Sequence, residues 1–199
     1  MKKLNLALIL MGCSLFHSYA QAGVFNIPEF VEQKSWQVGI EPEATFADGG
    51  SFSNTLKFTY GATPISNLQV GLGTGAGTLG FRVGSTYTFD FIPDIQGQIG
   101  AGLALQAYYY KLRSSIGQTE MTLYPYIHHE FTTTGPSSFD PYLALPLGVA
   151  FTDGTYHNIA QLVGGTYYKF TKNFGMNGEL GVNLSGSDTY LSTGVTYRD

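Results

Sequence analysis

The stretch from Ile95 to Tyr110 constrains the fold more than any other part of the sequence. Its odd positions are apolar or small, and its even positions are mostly glutamine, glycine and tyrosine, with no lysine or glutamate. A period of two predicts a β-strand, because successive side chains point to opposite faces. Sixteen residues are many for a strand of a soluble domain, which has about 5–6. The pattern predicts one face that is polar but uncharged and another that lies in an apolar environment.

The same alternation recurs along the chain after residue 35. Short groups rich in Gly, Pro, Asn, Asp and Ser separate the alternating segments, as turns do. An even number of strands brings both ends of the chain to the same side, as an up-and-down barrel requires. If Leu68–Phe89 does not make two strands, the count falls from ten to eight. The ten predicted strands are 36–46, 52–60, 68–73, 79–89, 95–110, 120–131, 139–151, 159–170, 174–184 and 190–198.

Charge is scarce for a soluble surface. Asp, Glu, Lys and Arg make up 12% of the chain, where about a quarter is usual. The net charge is −4 and no basic cluster occurs, so nucleic acid is not an expected partner. No apolar run reaches the roughly 18 residues of a helical membrane span, and a closed barrel is the other fold that satisfies the backbone in lipid. The predicted fold class is therefore all-β: an up-and-down antiparallel transmembrane β-barrel of ten strands, with eight as the alternative.

The N-terminal residues read as an export signal. Two lysines precede an apolar stretch, and Ala20-Gln21-Ala22 is a small-x-small cleavage site. We predict a signal peptide at 1–22, a periplasmic lead or short cover of the barrel mouth at 23–34, and the barrel at 35–199. The alternative is lipoprotein processing at Cys13, because Leu10–Cys13 resembles a lipobox. Cys13 is the only cysteine, so the mature chain is expected to have no disulfide.

Aromatic residues lie near the predicted strand ends, as in the aromatic girdles of membrane barrels. With this pattern the chain resembles the bacterial outer-membrane β-barrel class over residues 35–198, although Arg198 and Asp199 follow the last aromatic residue, where that class usually ends on one. The resemblance implies an outer-membrane location, contact with outer-membrane lipid and insertion by the barrel-assembly machinery, and we expect a monomer. The aromatic residues are Trp36, Phe46, Phe52, Tyr60, Phe89, Tyr109, Phe131, Phe139, Phe151, Phe170, Phe174 and Tyr197.

Charged side chains of both signs fall on the predicted inner face. Ionisable groups in a membrane domain are expected to face the interior and to pair, so we predict a structural charge network that fills the lumen rather than an ion path or catalytic carboxylates. Lys57, Arg82 and Lys169 are expected to neutralise Glu41, Glu120 and Glu179. The whole predicted network is Glu41, Glu43, Lys57, Arg82, Glu120, His128, Glu130, Lys169, Glu179 and Arg198.

Catalytic and metal sites are not predicted. His128 and Glu130 share the inner face, but no lipase-like serine motif occurs, and the His-x-Ser-Asn signature of outer-membrane lipid A deacylases is absent. His128 and His129 are adjacent on a strand and so point to opposite faces, with His129 on the lipid side, and they cannot converge on a metal with His157. We expect no enzyme activity, no metal and no cofactor.

The inner face alternates large with small residues. Tyr124 and Tyr126 are predicted to fit beside small residues of both neighbouring strands, namely Gly100, Gly102, Ala104, Ala144 and Gly148. Eight strands give an interior that side chains just fill, and sixteen leave a channel. We therefore predict an integral outer-membrane barrel with a largely filled lumen and a structural, scaffold role. The alternatives are a narrow passive pore for small solutes, a lipid-modifying outer-membrane enzyme and a soluble periplasmic ligand-binding barrel.

Two further expectations concern single positions. Leu103 is predicted to contact lipid and Gln98 to face the lumen. Four prolines lie inside predicted strands, and each needs a bulge or a strand end because proline has no amide donor for the ladder. These prolines are Pro42, Pro125, Pro141 and Pro146.

Overall fold

The structure is a computed structural model that describes residues 31–46, 50–76, 79–95, 98–114, 116–132 and 135–199. The predicted signal peptide, Cys13 and most of the predicted lead lie outside these residues. None of the described residues belongs to a helix that is long and apolar enough to span a membrane.

Strands account for most of the described chain. They are β1 (Trp36–Thr45), β2 (Ser51–Thr63), β3 (Ser66–Ala76), β4 (Leu79–Ile92), β5 (Gly100–Leu112), β6 (Gly117–His128), β7 (Phe131–Thr132), β8 (Ser138–Ala144), β9 (Leu147–Thr152), β10 (Thr155–Lys169), β11 (Phe174–Ser185) and β12 (Tyr190–Arg198).

The strands close into an antiparallel barrel in which each barrel strand pairs with its sequence neighbours. The last strand, β12, pairs with β1, and this pairing closes the sheet. β8 and β9 are two halves of one barrel strand, because both lie between β6 and β10. β7 pairs only with the start of β8. The barrel thus has ten strands, which confirms the predicted fold class and count and makes the eight-stranded alternative wrong.

β5, the strand within the stretch Ile95–Tyr110, begins later in the sequence than the alternation predicts. β5 begins at Gly100, because the last residue of β4 to pair with it is Ile92, opposite Ala101. The described residues just before it, Gln98 and Ile99, therefore have no ladder partner. Gln98 is exposed outside the strand, so the prediction that it faces the lumen is wrong, whereas Leu103 does lie on the outward face.

The barrel is polar inside and apolar outside. Inward side chains include buried Gln, Thr, Glu, Lys and Arg, while large apolar side chains on every wall are exposed on the outer surface. Eleven of the aromatic residues predicted near strand ends are among the exposed ones, and Trp36 is half-buried. Within the described strands, Lys111 at the end of β5 is the only charged residue on the outward face. The alternation predicted these faces correctly.

The prolines lie where the ladder is interrupted, as predicted. Pro125 of β6 faces the gap between β8 and β9, and its carbonyl accepts a hydrogen bond from the Leu145 amide at 3.0 Å. Pro146 lies in that gap. The β1–β12 pairing skips from Ile40 to Glu43, past Pro42. Pro141 adjoins the point where the β6–β8 pairing ends, at Tyr142.

Candidate functional site

Two buried ion pairs lie in the lumen. Glu41 and Glu43 are two residues apart on β1 and therefore point inward together. Lys57 Nζ lies 2.5 Å from Glu41 Oε2, and Arg82 Nη1 lies 2.6 Å from Glu43 Oε2. Arg82 Nε also donates to Thr55 Oγ1 at 2.7 Å. Each acid of β1 therefore has its own cation, from β2 and from β4.

The Arg82 pairing differs from the sequence expectation, which joined Arg82 to Glu120. Arg82 reaches back across β3 and β2 because Gly73 leaves room for it: a Cβ at Gly73 would lie 2.9 Å from Arg82 Cγ. On its other side Arg82 is paired in the ladder with Tyr110, which is fully buried. Glu120 is instead held by Gln118, whose Nε2 donates to Glu120 Oε1 at 2.5 Å.

Glu179 is bound by tyrosine hydroxyls. Tyr190 donates to Glu179 Oε1 at 2.5 Å, and Tyr142 donates to Glu179 Oε2. The expected neutralising residue, Lys169, is half-buried at the end of β10 and pairs with Gly175, four residues along β11 from Glu179. Charged groups accept hydrogen bonds about twice as strong as neutral ones, so the two tyrosines hold this carboxyl in place.

A histidine–aspartate cluster lies nearer the end of the barrel at which β1 begins and β12 ends, which we call the terminal end. His128 Nε2 lies 3.1 Å from Asp90 Oδ2, and Nδ1 lies 3.2 Å from Asp140 Oδ2. Both ring nitrogens of His128 therefore lie within hydrogen-bond distance of a carboxyl group. Tyr126 Oη donates to Asp90 at 2.5 Å. The cluster joins β4, β6 and β8.

Sequence reasoning left both aspartates out of the network. Asp90 was assigned to a turn, but β4 runs on to Ile92 and turns Asp90 inward. Asp140 did fall on the predicted inner face of its strand. Its position in the alternation was therefore the signal that could have placed it in the charge network. Both are buried.

The remaining predicted residues lie at the terminal end of the barrel. Glu130 follows the end of β6 and is half-buried, and its amide donates to Asp94, so it does not share a strand face with His128. His129 Nδ1 lies 3.2 Å from Asp94 Oδ1 and not in the outer apolar belt. Arg198 ends β12 and is buried.

Tyrosine rings and glycines fill the lumen between these charges. A Cβ at Gly102 would lie 2.3 Å from the Tyr126 ring, and one at Gly165 would lie 2.4 Å from the Tyr142 ring. Gly181 stands in the same relation to Tyr190. Only glycine allows these rings to lie flat against the wall. The largest inward side chains that are less than 2% exposed are Arg82, Tyr110, Tyr124, Tyr190, Leu79, Gln118, Gln161, Glu43, Glu179 and Val163.

Asp188 covers the lumen at the end opposite the termini. It lies in the turn between β11 and β12, and its carbonyl accepts a hydrogen bond from Gln161 Nε2 at 2.8 Å. Burial, with the negative charge of Glu43 second, raises the pKa of Asp188 to about 7. The folded protein therefore binds this proton more tightly than the unfolded chain does.

We expect Asp188→Asn to flatten the pH dependence of stability. Because the folded pKa is the higher one, the contribution of Asp188 is fully present below its unfolded pKa, about 4, and is lost as the pH rises to about 7. The free energy of unfolding should fall less between pH 5 and pH 8 in the variant than in the parent. Urea titration in micelles, followed by Trp36 fluorescence, measures this. The control is Asp153→Asn in an exposed turn; equal slopes for all three proteins would contradict the prediction.

Within the ranges that the structure describes, no group of three or more His, Cys, Asp and Glu side chains is arranged to hold a metal ion. The inner groups engage one another: acids with cations, with tyrosine hydroxyls or with an amide. These ion pairs and hydrogen bonds can hold different strands of the barrel wall together.

Comparisons with known structures identify similar barrels. No protein-family model and no curated protein matches the sequence. The crystal structure of the COG4313 outer membrane channel from Pseudomonas putida F1 has a TM-score of 0.51 at 11% identity, over 88% of this chain and 100% of that one. A de novo designed transmembrane β-barrel (TM-score 0.44, 14% identity, 86% and 100% coverage) and Acinetobacter baumannii Omp33 (0.38, 11%, 86% and 100%) are also similar. The chain has the closed ten-stranded antiparallel fold of the bacterial outer-membrane β-barrel class.

Proposed function

We propose that this protein is an integral outer-membrane β-barrel with a filled lumen and a structural, scaffold role. The observation that carries the proposal is the layer of inward side chains that crosses the barrel. Arg82, Tyr110, Tyr124 and Tyr190 are each at most 2% exposed.

The filled layer opposes ion passage in two ways. Ten strands lie close to the eight-stranded size at which side chains just fill the interior. Two of the inward acids are neutralised by cations, Glu41 by Lys57 and Glu43 by Arg82, and an ion that passed this layer would have to disturb the Glu43–Arg82 pair. Breaking a buried pair on one side costs about 3–5 kcal/mol. The structure therefore supports a wall-to-wall plug rather than a passage.

Planar-bilayer recording of the refolded protein tests the proposal. We expect little or no steady conductance. Large, regular single-channel steps from the unmodified protein would overturn the scaffold role.

The proposed location is tested separately. The mature chain should sediment with outer membranes and migrate faster on gels when unheated, whereas recovery in the soluble periplasm would overturn the proposed location.

The second candidate function is a narrow passive pore. The observation that favours it is the TM-score of 0.51 with the COG4313 outer membrane channel, together with a cavity of about 30 Å³ inside the lumen. The same recordings separate the two functions, because a pore would show steps without any substitution.

We propose no enzymatic role. Both ring nitrogens of the buried His128 are engaged by Asp90 and Asp140, so neither is available as a general base. We further propose a monomer that contacts outer-membrane lipid and is inserted by the barrel-assembly machinery. The apolar outer face, on which Lys111 is the one charged residue of the described strands, supports contact with lipid.

Substitution of an outward residue tests the lipid contact. Leu105 is 55% exposed in the middle of β5, and an arginine near the bilayer midplane costs about 2–4 kcal/mol. We expect Leu105→Arg to lower the free energy of unfolding in lipid vesicles by about this amount. The control Gln98→Arg places the same charge at an exposed position outside the strand and should change little. Equal tolerance at both positions would show that this wall is not in lipid.

A further inference from the structure

A groove lies on the outer face of the barrel, in the wall formed by β3 to β6 and β9. Its volume is about 500 Å³. Two short side chains, Ser85 and Ala107, point outward within it, and the β4–β5 ladder pairs these two residues directly. Most of the other lining residues are large, apolar and exposed, namely Leu68, Tyr87, Leu105, Met121, Leu123 and Leu147.

The register of the strands explains why the wall is indented here. The next outward pair toward the terminal end is Tyr87 with Leu105, and Ala107 is paired on its other side with Met121 of β6. Large side chains therefore border the short side chains of Ser85 and Ala107. A gap beside apolar side chains loses dispersion contacts, and a flexible hydrocarbon chain lying in the groove would restore them.

Two cations lie beyond the groove, at the end of the barrel opposite the terminal end. The outward side chains of β5 run from Ala107 through Tyr109 to Lys111. Within the described strands, no acid shares the outward face with Lys111. Arg113 follows in the exposed turn, where its Nη2 donates to the Gly75 carbonyl at 3.1 Å. A guanidinium has further N–H donors, so this hydrogen bond positions Arg113 without using all of them.

The position of Lys111 along β5 matches the level of lipid headgroups. Lys111 lies six positions after Leu105, which is in the middle of the strand. Six residues span about 20 Å along a strand, and a tilt of about 35–45° reduces this to about 15 Å along the membrane normal. Half of a hydrocarbon core of about 30 Å is also about 15 Å. With Leu105 near the midplane, Lys111 therefore reaches the headgroups of one leaflet.

We propose that the groove and these two cations bind one anionic, phosphate-bearing lipid. An acyl chain lies in the groove at Ser85 and Ala107, and the phosphate contacts Lys111 and Arg113. Lysine binds phosphate as a point charge, and arginine can bind it with two parallel hydrogen bonds. The proposal rests on the lipid contact proposed above and goes beyond it, because it assigns one class of lipid to one place on the wall.

Native mass spectrometry of the refolded mature chain tests this site. The micelles contain equal amounts of palmitoyl-oleoyl phosphatidylglycerol and palmitoyl-oleoyl phosphatidylcholine, which share their acyl chains and differ in net charge. One basic side chain near an anionic lipid surface strengthens binding about fivefold. We expect one retained phosphatidylglycerol per protein, with a preference over phosphatidylcholine of at least about fivefold.

A pair of double variants tests the headgroup contact. Lys111→Gln with Arg113→Gln removes both cations, and the preference for phosphatidylglycerol should disappear. The control is Lys34→Gln with Lys172→Gln, which removes two exposed cations near the terminal end and should preserve the preference. Equal loss in both double variants would show a general attraction to the charge of the protein and would overturn the site.

Filling the groove tests the acyl-chain contact. Ala107→Trp should lower the retention of both lipids severalfold. The matched control is Gly178→Trp on the outward face of β11, where a Cβ meets nothing within 4 Å, and it should leave retention unchanged. If Ala107→Trp does not show heat-modifiable migration, Ser85→Leu fills the groove from β4 and should also lower retention. Unchanged retention in the folded variant would overturn the site.

The remaining outcomes separate this site from the proposed membrane location. A folded barrel that retains the two lipids equally would overturn the lipid site alone. A dimer of the parent that Ala107→Trp abolishes would assign the groove to a second copy of the chain, and would also overturn the lipid site. A chain that forms no heat-modifiable barrel in micelles would overturn the membrane location and the site with it.

Discussion

Arg82→Met is expected to lower the free energy of unfolding by about 3–5 kcal/mol, because it leaves the Glu43 carboxylate buried without its cation. Arg82 is 1% exposed and Glu43 is 1% exposed, so solvent cannot replace the lost partner. Methionine preserves most of the side-chain length and apolar packing, which isolates the charge. Urea unfolding in micelles measures the change.

A matched double variant distinguishes the charge from the packing. When Glu43→Leu accompanies Arg82→Met, no charge is left unpaired, and replacing a buried ion pair by apolar residues is often neutral or stabilising. We therefore expect the double variant to recover most of the stability that the single variant loses. A double variant less stable than Arg82→Met alone would contradict this expectation. It would show that the attraction between Glu43 and Arg82 itself stabilises the barrel, beyond the neutralisation of each charge by the other.

Tyr124→Ala with Tyr190→Ala is expected to convert a silent barrel into a leaking one. The two rings lie in one buried cluster, on strands β6 and β12, which are separated around the barrel by β8–β9, β10 and β11. Their removal takes away two of the largest fully buried side chains in the lumen. Planar-bilayer recording should show steady current in the double variant and none in the parent.

The control for the leak is the removal of two outward tyrosines. Tyr109 and Tyr197 are 38% and 42% exposed on the outer face, so Tyr109→Ala with Tyr197→Ala deletes the same atoms outside the lumen. No current is expected from that protein. A silent Tyr124/Tyr190 double variant with native heat-modifiable migration would show that other side chains seal the barrel.

The number and facing of the strands were predictable because both depend on local chemistry. Alternation with a period of two assigns each side chain to a face, and turn residues mark where a strand stops. The inward assignments of Glu41, Lys57 and Glu179 were therefore correct from parity alone. Proline positions were also informative: Pro125 and Pro146 predicted an interruption, and the structure has it between β8 and β9.

The partners within the lumen were not predictable in the same way. Parity states that Arg82 points inward, but not that it reaches back across β3 and β2 to Glu43. That choice depends on the free space above Gly73 and on Tyr110 occupying the other side. Similarly, the inward position of Asp90 depends on β4 continuing to Ile92 opposite β5, which is a property of two strands together.

The sequence by itself determined the secondary structure, the two faces and the barrel class, because these follow from the order of apolar and polar residues along one strand. Only the tertiary structure decided which acid meets which base, where β5 begins, and that Ser85 and Ala107 lie opposite each other on the outer face. These features depend on the register between strands and on the cavities that glycines such as Gly73 leave in the wall. An inward side chain pairs with a group that lies close enough to it in the lumen, and closure of the barrel determines which groups are that close.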